Sequence, residues 1–479
     1  MHSSFHIADL AAALFGFLAI ASVAGGLIFS FDDLWVDACA FYHGLEPTRL
    51  SASELEEMRS LPQKRIAIMV ANWHEHEIIE RMIAGNIAGL EYANYAFFLG
   101  VYPNDPLTAK RARALARRFP NVFVVVNSRP GPTTKGQMLN EIARAALASE
   151  AESGAAYDLF LLHDSEDVLH PLSLQLFNQA SRGADFAQIP VFSFDVPATS
   201  WTRGTYLDEF SESHTKDLLV RQRLGAAIPS AGVGTALSRK LVEKYLELGN
   251  GRLLREDTVT EDYDLGLRAK ALGLKSRFVC AYRLGPGGKK DFIATREYFP
   301  SSVGAAVRQK ARWTLGIAFQ GGENFGWQGS LVDRYFLFRD RRGPLNAVLS
   351  VASVATLIGF VAAGAGAIEA PAFARGLPFA IPLGANGLSM LARAMQRCRA
   401  VALVHGPLHA LAVPFRWPLG IWLNSAAAFR AYRAFRRAGR TGKAPAWDKT
   451  AHEIPEAFGR SRALPTHAIA SARAARQIL

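Results

Sequence analysis

The chain reads as an α/β protein: a mostly parallel, Rossmann-like sheet domain attached to a transmembrane helical region. Three observations predict this class. Short β-branched and aromatic runs alternate with helix-period segments through the middle of the chain. Two stretches without a charged residue, Leu10 to Phe31 and Asn346 to Ile368, extend over 22 and 23 positions, and at ~1.5 Å per helical residue each can cross a hydrocarbon core of ~30 Å. The 479 residues are 50% hydrophobic yet include long polar stretches, so soluble and membrane parts divide the chain.

Taken in order, the first apolar run has no basic residue before it. Phe31 leads into Asp32-Asp33 rather than a small-residue cleavage site, which favours an uncleaved anchor over a signal peptide. Residues 1–31 are therefore expected to be an N-terminal transmembrane anchor. Arg334, Arg339, Arg341 and Arg342 stand just before the second span, and this Lys/Arg bias makes residues 32–342 a cytoplasmic domain. Its strands are expected at Arg65–Val70, Tyr95–Val101, Val122–Val126, Leu159–Leu162, Ala187–Phe192 and Ser276–Cys280. Helical patterns stand at Glu75–Leu90, Pro106–Phe119, Lys135–Ala148 and Glu261–Leu272. Alternation of this kind puts a site at the carboxyl ends of the strands. A third apolar stretch, Gly376–Ala392, would complete a transmembrane region over residues 343–395 despite Pro378 and Pro382. Ala400–Phe429 is broken by Pro407, Pro414, Arg416 and Pro418 and runs into five arginines. Residues 396–479 are accordingly expected to be a re-entrant or interfacial segment with a basic cytoplasmic tail.

The formal charge of +12 suggests nucleic acid only until it is located. Residues 393–479 hold 15 Lys/Arg against 3 Asp/Glu, which accounts for the whole excess. A basic segment after apolar spans leans on the anionic lipid bilayer, so no nucleic-acid partner is expected. Cys39, Cys280 and Cys398 are too few and scattered for a disulfide framework or a thiolate metal site.

Three short constellations could carry chemistry. After the Leu159 run comes His163-Asp164-Ser165-Glu166-Asp167, where Asp164 and Glu166, two apart on an extended chain, point the same way. Paired carboxylates suit Mg²⁺ or Mn²⁺, and such an ion neutralises charge on a departing diphosphate; an acidic turn facing water is the plainer alternative. Thr260-Glu261-Asp262 opens a helix, where acidic residues are ordinarily favoured. There Asp262, with Glu261 beside it, is a candidate catalytic carboxylate, a base for an acceptor hydroxyl. Gln309, Arg312 and Trp313 stand at i, i+3 and i+4 and share one helix face. Arg can pair with phosphate oxygens and Trp offers a flat face to a sugar ring, whereas a basic interfacial helix is the bland reading. Lys135 opens a helix after a Pro/Gly turn, a place where an anion can be held.

In this order the signals resemble glycosyltransferase family 2, with DSE (Asp164–Glu166), TED (Thr260–Asp262) and QKARW (Gln309–Trp313) matching its metal, base and QxxRW motifs. VANWHE (Val70–Glu75), VYPND (Val101–Asp105), PSAGVGTALSR (Pro229–Arg239), REYFP (Arg296–Pro300) and WDKTAH (Trp447–His452) are similar to the bacteriophage adsorption protein B family. The resemblance implies a GT-A fold and an inverting transfer from a UDP-sugar donor to a polysaccharide or lipid-linked acceptor. It further implies exopolysaccharide synthesis at the bacterial inner membrane, with an outer-membrane export partner. Carried across by match, Asp164 and Glu166 hold the metal, Asp262 is the base, and Gln309, Arg312 and Trp313 bind acceptor and diphosphate. Glu75 and Lys135 then line the nucleotide pocket. Many family members carry adjacent aspartates after the second strand; here Tyr102-Pro103-Asn104-Asp105 leaves Asp105 as the nucleotide-reading candidate. Relatives often carry a long C-terminal cyclic-dinucleotide-binding domain, and because this chain ends soon after WDKTAH, such control is expected from another subunit or not at all. A catalytically inactive scaffold or phage-receptor component and a single-transfer lipid glycosyltransferase are the competing readings.

Overall fold

The computed structural model describes residues 2–441 apart from 367, 370 and 371. WDKTAH and most of the expected basic tail lie outside the described residues.

Seven strands form the central sheet: β1 (Ile66–Ala71), β2 (Tyr95–Val101), β3 (Val122–Val126), β4 (Leu159–His163), β5 (Phe186–Gln188), β6 (Thr235–Ser238) and β7 (Ser276–Phe278), in the spatial order β3-β2-β1-β4-β6-β5-β7. From β3 to β4 every pairing is parallel, with Ile66 opposite both Tyr95 and Leu159. Every residue of β2 is buried, as befits a strand covered on both faces. Helices Lys135–Ser153, Arg239–Leu248 and Tyr263–Ala271 pack on one face through Met138, Leu139, Ile142, Leu241 and Leu265. Helices Ile79–Gly89, Pro106–Arg118 and Ser173–Ala180 cover the other through Ile83, Ala112 and Phe177.

The sheet is mostly parallel, as expected, with β6 entering between β4 and β5 antiparallel to both. One expectation for the sheet needs correction. The single strand expected over Ala187–Phe192 is two, β5 and Val191–Ser193, because Pro190 cannot donate to a ladder; the second piece pairs instead with Thr295–Glu297. The helix expected from Glu75 also starts later, at Ile79. The amides of His74 and Glu75 are taken by Asp105 (2.7 Å) and Thr108 Oγ1 (3.0 Å), which hold 72–78 in a turn.

The apolar spans are helices, but longer than their uncharged cores. The N-terminal helix runs His2–Tyr42, past Asp32-Asp33, and a second covers Gly343–Gly364; both are long and apolar enough to cross a membrane. On the Gly343–Gly364 helix, Val351, Val354, Leu357, Ile358 and Val361 are more than half exposed, an apolar face that no protein layer covers. The two helices approach closely at small residues: a Cβ on Gly359 would lie 2.3 Å from the Phe15 ring. Asp32 and Asp33, at the end of the first apolar stretch, are clasped by Arg339 and Arg342, and Arg393 joins at Asp33.

Leu377–His405 and Pro407–Thr441 follow as two long helices separated only at Gly406. The breaks expected at Pro414 and Pro418 are absent. Proline at 414 frees the carbonyl of Ala410, and Cys398 Sγ donates to that oxygen at 3.3 Å, so the backbone group lost to the helix finds a partner. Arg416, 1% exposed, grips Asp208 with two bonds of 2.6 and 3.1 Å, which ties this helix to the Trp201–Glu212 helix of the sheet domain.

Candidate active site

Beyond the carboxyl ends of β1 and β4 lies a cavity of about 310 Å³. It is lined by Glu75, Lys135, Asp164, Glu166, Glu261, Asp262, Gln309, Arg312 and Trp313, residues far apart in the sequence. Asp105 is not among them. Only 2% exposed, it caps the Pro106–Arg118 helix through the Thr108 amide and supports the His74 turn from beneath, so its carboxylate serves backbone.

The DSE loop is held by residues that spacing alone does not flag. Ser165 Oγ donates to Asn72 Oδ1 at 2.8 Å, and the Asn72 amide in turn donates to Val70 and Gly100 carbonyls, so the asparagine of VANWHE bolts the loop to the ends of β1 and β2. Asp167 accepts the Asp164 amide at 2.8 Å and sits 3.0 Å from His163 Nδ1. Burial drives the His163 pKa down to about 3, so the ring stays neutral, and burial pushes the Asp167 carboxyl well up. Asp164, half covered, is left facing Lys135, whose Nζ lies 2.5 Å away.

Lys135 is the first residue of its helix, after the N-cap Thr134, and its side chain is 16% exposed. Its Nζ also donates to Gly232 O at 3.3 Å. Burial opposes the ammonium, but Asp164, Asp262 and Glu261 outweigh that and raise its pKa above the ordinary lysine value. The TED segment comes close because glycines leave room. A Cβ on Gly232 would lie 1.8 Å from Asp262 Oδ2, one on Gly316 2.1 Å from Thr260 Oγ1, and one on Gly136 3.1 Å from Glu261 Cγ. Asp262 caps the Tyr263–Ala271 helix, its Oδ1 accepting the Tyr263 amide at 2.8 Å. Burial, together with the Asp262 charge, pushes the Glu261 carboxyl up to about 7; burial, with Asp164 adding, raises Asp262 too.

QKARW lies on the Val303–Thr314 helix. Trp313 packs against Tyr206 and Phe210, each with ring centroids 6.0 Å away, and Gln309 Oε1 is buried beside the cavity without a hydrogen-bond partner among the described residues. Lys310 turns away from the site, pairs with Glu209 and lies 4.6 Å above the Tyr206 ring. Trp73, Phe210 and Glu297 line the cavity without having been singled out from sequence; Trp73 and Glu297 stand inside VANWHE and REYFP.

Six carboxylates (Glu75, Asp164, Glu166, Glu261, Asp262 and Glu297) face two cations, Lys135 and Arg312. Hard oxygen ligands in such excess fit Mg²⁺ or Mn²⁺. Among the described residues no cluster of three or more His, Cys, Asp or Glu could by itself hold an ion. Asp164 and Glu166 would thus supply two ligands, with phosphate oxygens and water completing the shell.

This chain belongs to glycosyltransferase-like family 2, which it matches over residues 62–316, and the α/β domain is of GT-A type. Bacteriophage adsorption protein B of Escherichia coli strain K12 is 35% identical over 477 residues, covering 94% of this chain and 64% of that protein. The bacteriophage N4 adsorption protein B of Escherichia coli O157:H7 matches to the same extent, so this chain spans just under two thirds the length of both relatives. Among solved structures, the mannosyltransferase PcManGT from Pyrobaculum calidifontis, in complex with GDP-Man and Mn²⁺, is similar with a TM-score of 0.48 and 15% identity, over 84% of this chain and 98% of that one.

Proposed function

We propose that this chain is an inverting glycosyltransferase that moves a sugar from a UDP-sugar to a growing polysaccharide at the bacterial inner membrane. The observation that carries the reading is the convergence of DSE, TED and QKARW on one cavity. In that cavity the amino end of the Lys135–Ser153 helix, the Lys135 ammonium and Arg312 hold the diphosphate. A divalent cation bound by Asp164 and Glu166 supplies further charge neutralisation on the leaving group. Trp313 and Phe210 offer flat apolar faces to the acceptor sugar, and the unpartnered Gln309 Oε1 accepts one of its hydroxyls. Asp262 takes the proton of the attacking hydroxyl. As the new acceptor oxygen–anomeric carbon bond forms, the bond to the phosphate oxygen breaks, its electron pair leaves on UDP, and the proton stays on Asp262.

The exposed apolar faces on four long helices support a multi-pass membrane protein, with the cavity on the side of Arg339 and Arg342. We assign residues 1–31 to the anchor, 32–342 to the catalytic domain, 343–395 to transmembrane helices and 396–479 to a re-entrant or interfacial segment with a basic cytoplasmic tail. Radiolabelled UDP-sugars offered to the purified chain test the reading. Incorporation should fall by about 10²–10⁴-fold in Asp262→Asn; equal incorporation by variant and parent would remove Asp262 as the base. Product length on a sizing gel separates a polymerase from a single-transfer lipid glycosyltransferase.

A further inference from the structure

Lys135 holds a position that conflicts with its own helix. It is the first residue of a helix of 19 residues, at the end where aligned peptide dipoles place positive charge and where a cation is disfavoured. Its ammonium nevertheless stays there, 16% exposed, because it reaches Asp164 at 2.5 Å and the Gly232 carbonyl at 3.3 Å, and Gly232 in turn abuts Asp262. The cation already paired with the DSE carboxylate Asp164, and acted on by the charges of Asp262 and Glu261, is therefore the protein's own. A divalent ion taking Asp164 as ligand would strip Lys135 of its nearest counter-charge and leave the ammonium against the positive helix end. Asp262 and Glu261 still act on the ammonium from further off, but a close partner is restored by an incoming anion, and a diphosphate is the anion the cavity receives in the proposed reaction.

Resting on that reading, we infer that Lys135 competes with the divalent cation for Asp164, so that metal binds tightly only together with the diphosphate that gives the ammonium a new partner. Lysine suits the task, since its charge sits at the tip of a flexible four-carbon stem and can swing while the Cα stays fixed. Metal and donor then strengthen each other's binding, and by linkage the coupling is the same in both directions. It also keeps the carboxylates together before any ligand arrives. Neutralising the lysine has opposite effects in the two states: metal alone binds better, and the diphosphate adds less.

Mn²⁺ binding to the full chain in detergent, read from the electron paramagnetic resonance of the free ion with and without UDP, tests this without turnover. In the parent, UDP should tighten Mn²⁺ by an order of magnitude or more. Lys135→Met should bind Mn²⁺ alone at least tenfold more tightly than the parent and lose most of the gain from UDP, whereas Lys135→Arg should keep the parental pattern. Thermal unfolding gives a second readout: Mn²⁺ without nucleotide should raise the midpoint of Lys135→Met, or of Lys135→Gln should the first not fold, more than that of the parent. Mn²⁺ binding to the neutral variant no tighter than to the parent overturns the competition while leaving the transferase reading intact. Failure of every form to bind Mn²⁺ even with UDP overturns the metal-dependent reading itself.

Discussion

Replacing Gly232 by alanine tests the geometry of the site more sharply than removing any charge. The added Cβ would fall 1.8 Å from Asp262 Oδ2, whereas ordinary contact begins near 3.4 Å. The carboxylate must therefore retreat by roughly 1.5 Å, and a misplacement of ~1 Å can lower turnover about 10²-fold. Gly232 also has φ of +79°, a conformation in which an L side chain costs about 1–2 kcal/mol. The expected result is a modest loss of stability and a loss of turnover of ~10²-fold or more, while binding of UDP and Mn²⁺, which the reading assigns to other groups, persists. UDP release by the purified full chain measures the first and equilibrium binding the second. A Gly232→Ala protein that turns over like its parent would mean that Asp262 does not act from the position described.

Three other outcomes follow from the same structure. Asp208→Ala should destabilise the protein by ~3–5 kcal/mol, because Arg416 is left buried without its partner, and Asp208→Leu with Arg416→Met should recover much of that in denaturant unfolding. His214, buried against Phe192 and Phe278, has its pKa lowered by burial to about 4 from 6.5. The unfolded chain thus binds a proton first, so stability is full above pH 6.5 and falls by up to roughly 3 kcal/mol as the pH drops towards 4; His214→Asn should flatten that slope. Alkaline phosphatase fused after Arg342 should be inactive, and high activity there would put the sheet domain on the outer side of the membrane.

The strands most legible in the sequence are those of the parallel half. Tyr95–Val101 and Val122–Val126 have the expected bounds: the first, buried along its whole length, shows as an unbroken apolar run, and the second, at the sheet's edge and partly exposed, shows through its β-branched valines. Thr235–Ser238 escaped notice because four residues with two hydroxyls carry no periodicity; its place in the sheet comes from pairing with β4 and β5. Proline misled twice in opposite senses. Pro190 does divide a strand, while Pro414 does not divide a helix, because a thiol from a neighbouring helix satisfies the carbonyl it frees. In the site, residue types and spacing picked out Asp164, Asp262 and Arg312, which share the cavity. They could not reveal Asn72, His163 and Asp167, whose work is to hold the loop through partners distant in sequence or hidden in an acidic run. Asp105 shows the reverse, an acidic residue in a suggestive motif that is buried and accepts the backbone amides of His74 and Thr108.

The clasp between Asp32-Asp33 and the arginines at 339 and 342 sets an order of events during synthesis. Asp32 and Arg342 are separated by 310 positions, which at ~5–20 residues per second is an interval of roughly 15–60 s on the ribosome. Both aspartates must wait through it hydrated, and all seven strands of the sheet are translated inside it. The globular part can thus be complete before the first helix meets its partners, which makes gathering the apolar helices onto a finished domain the closing step of assembly.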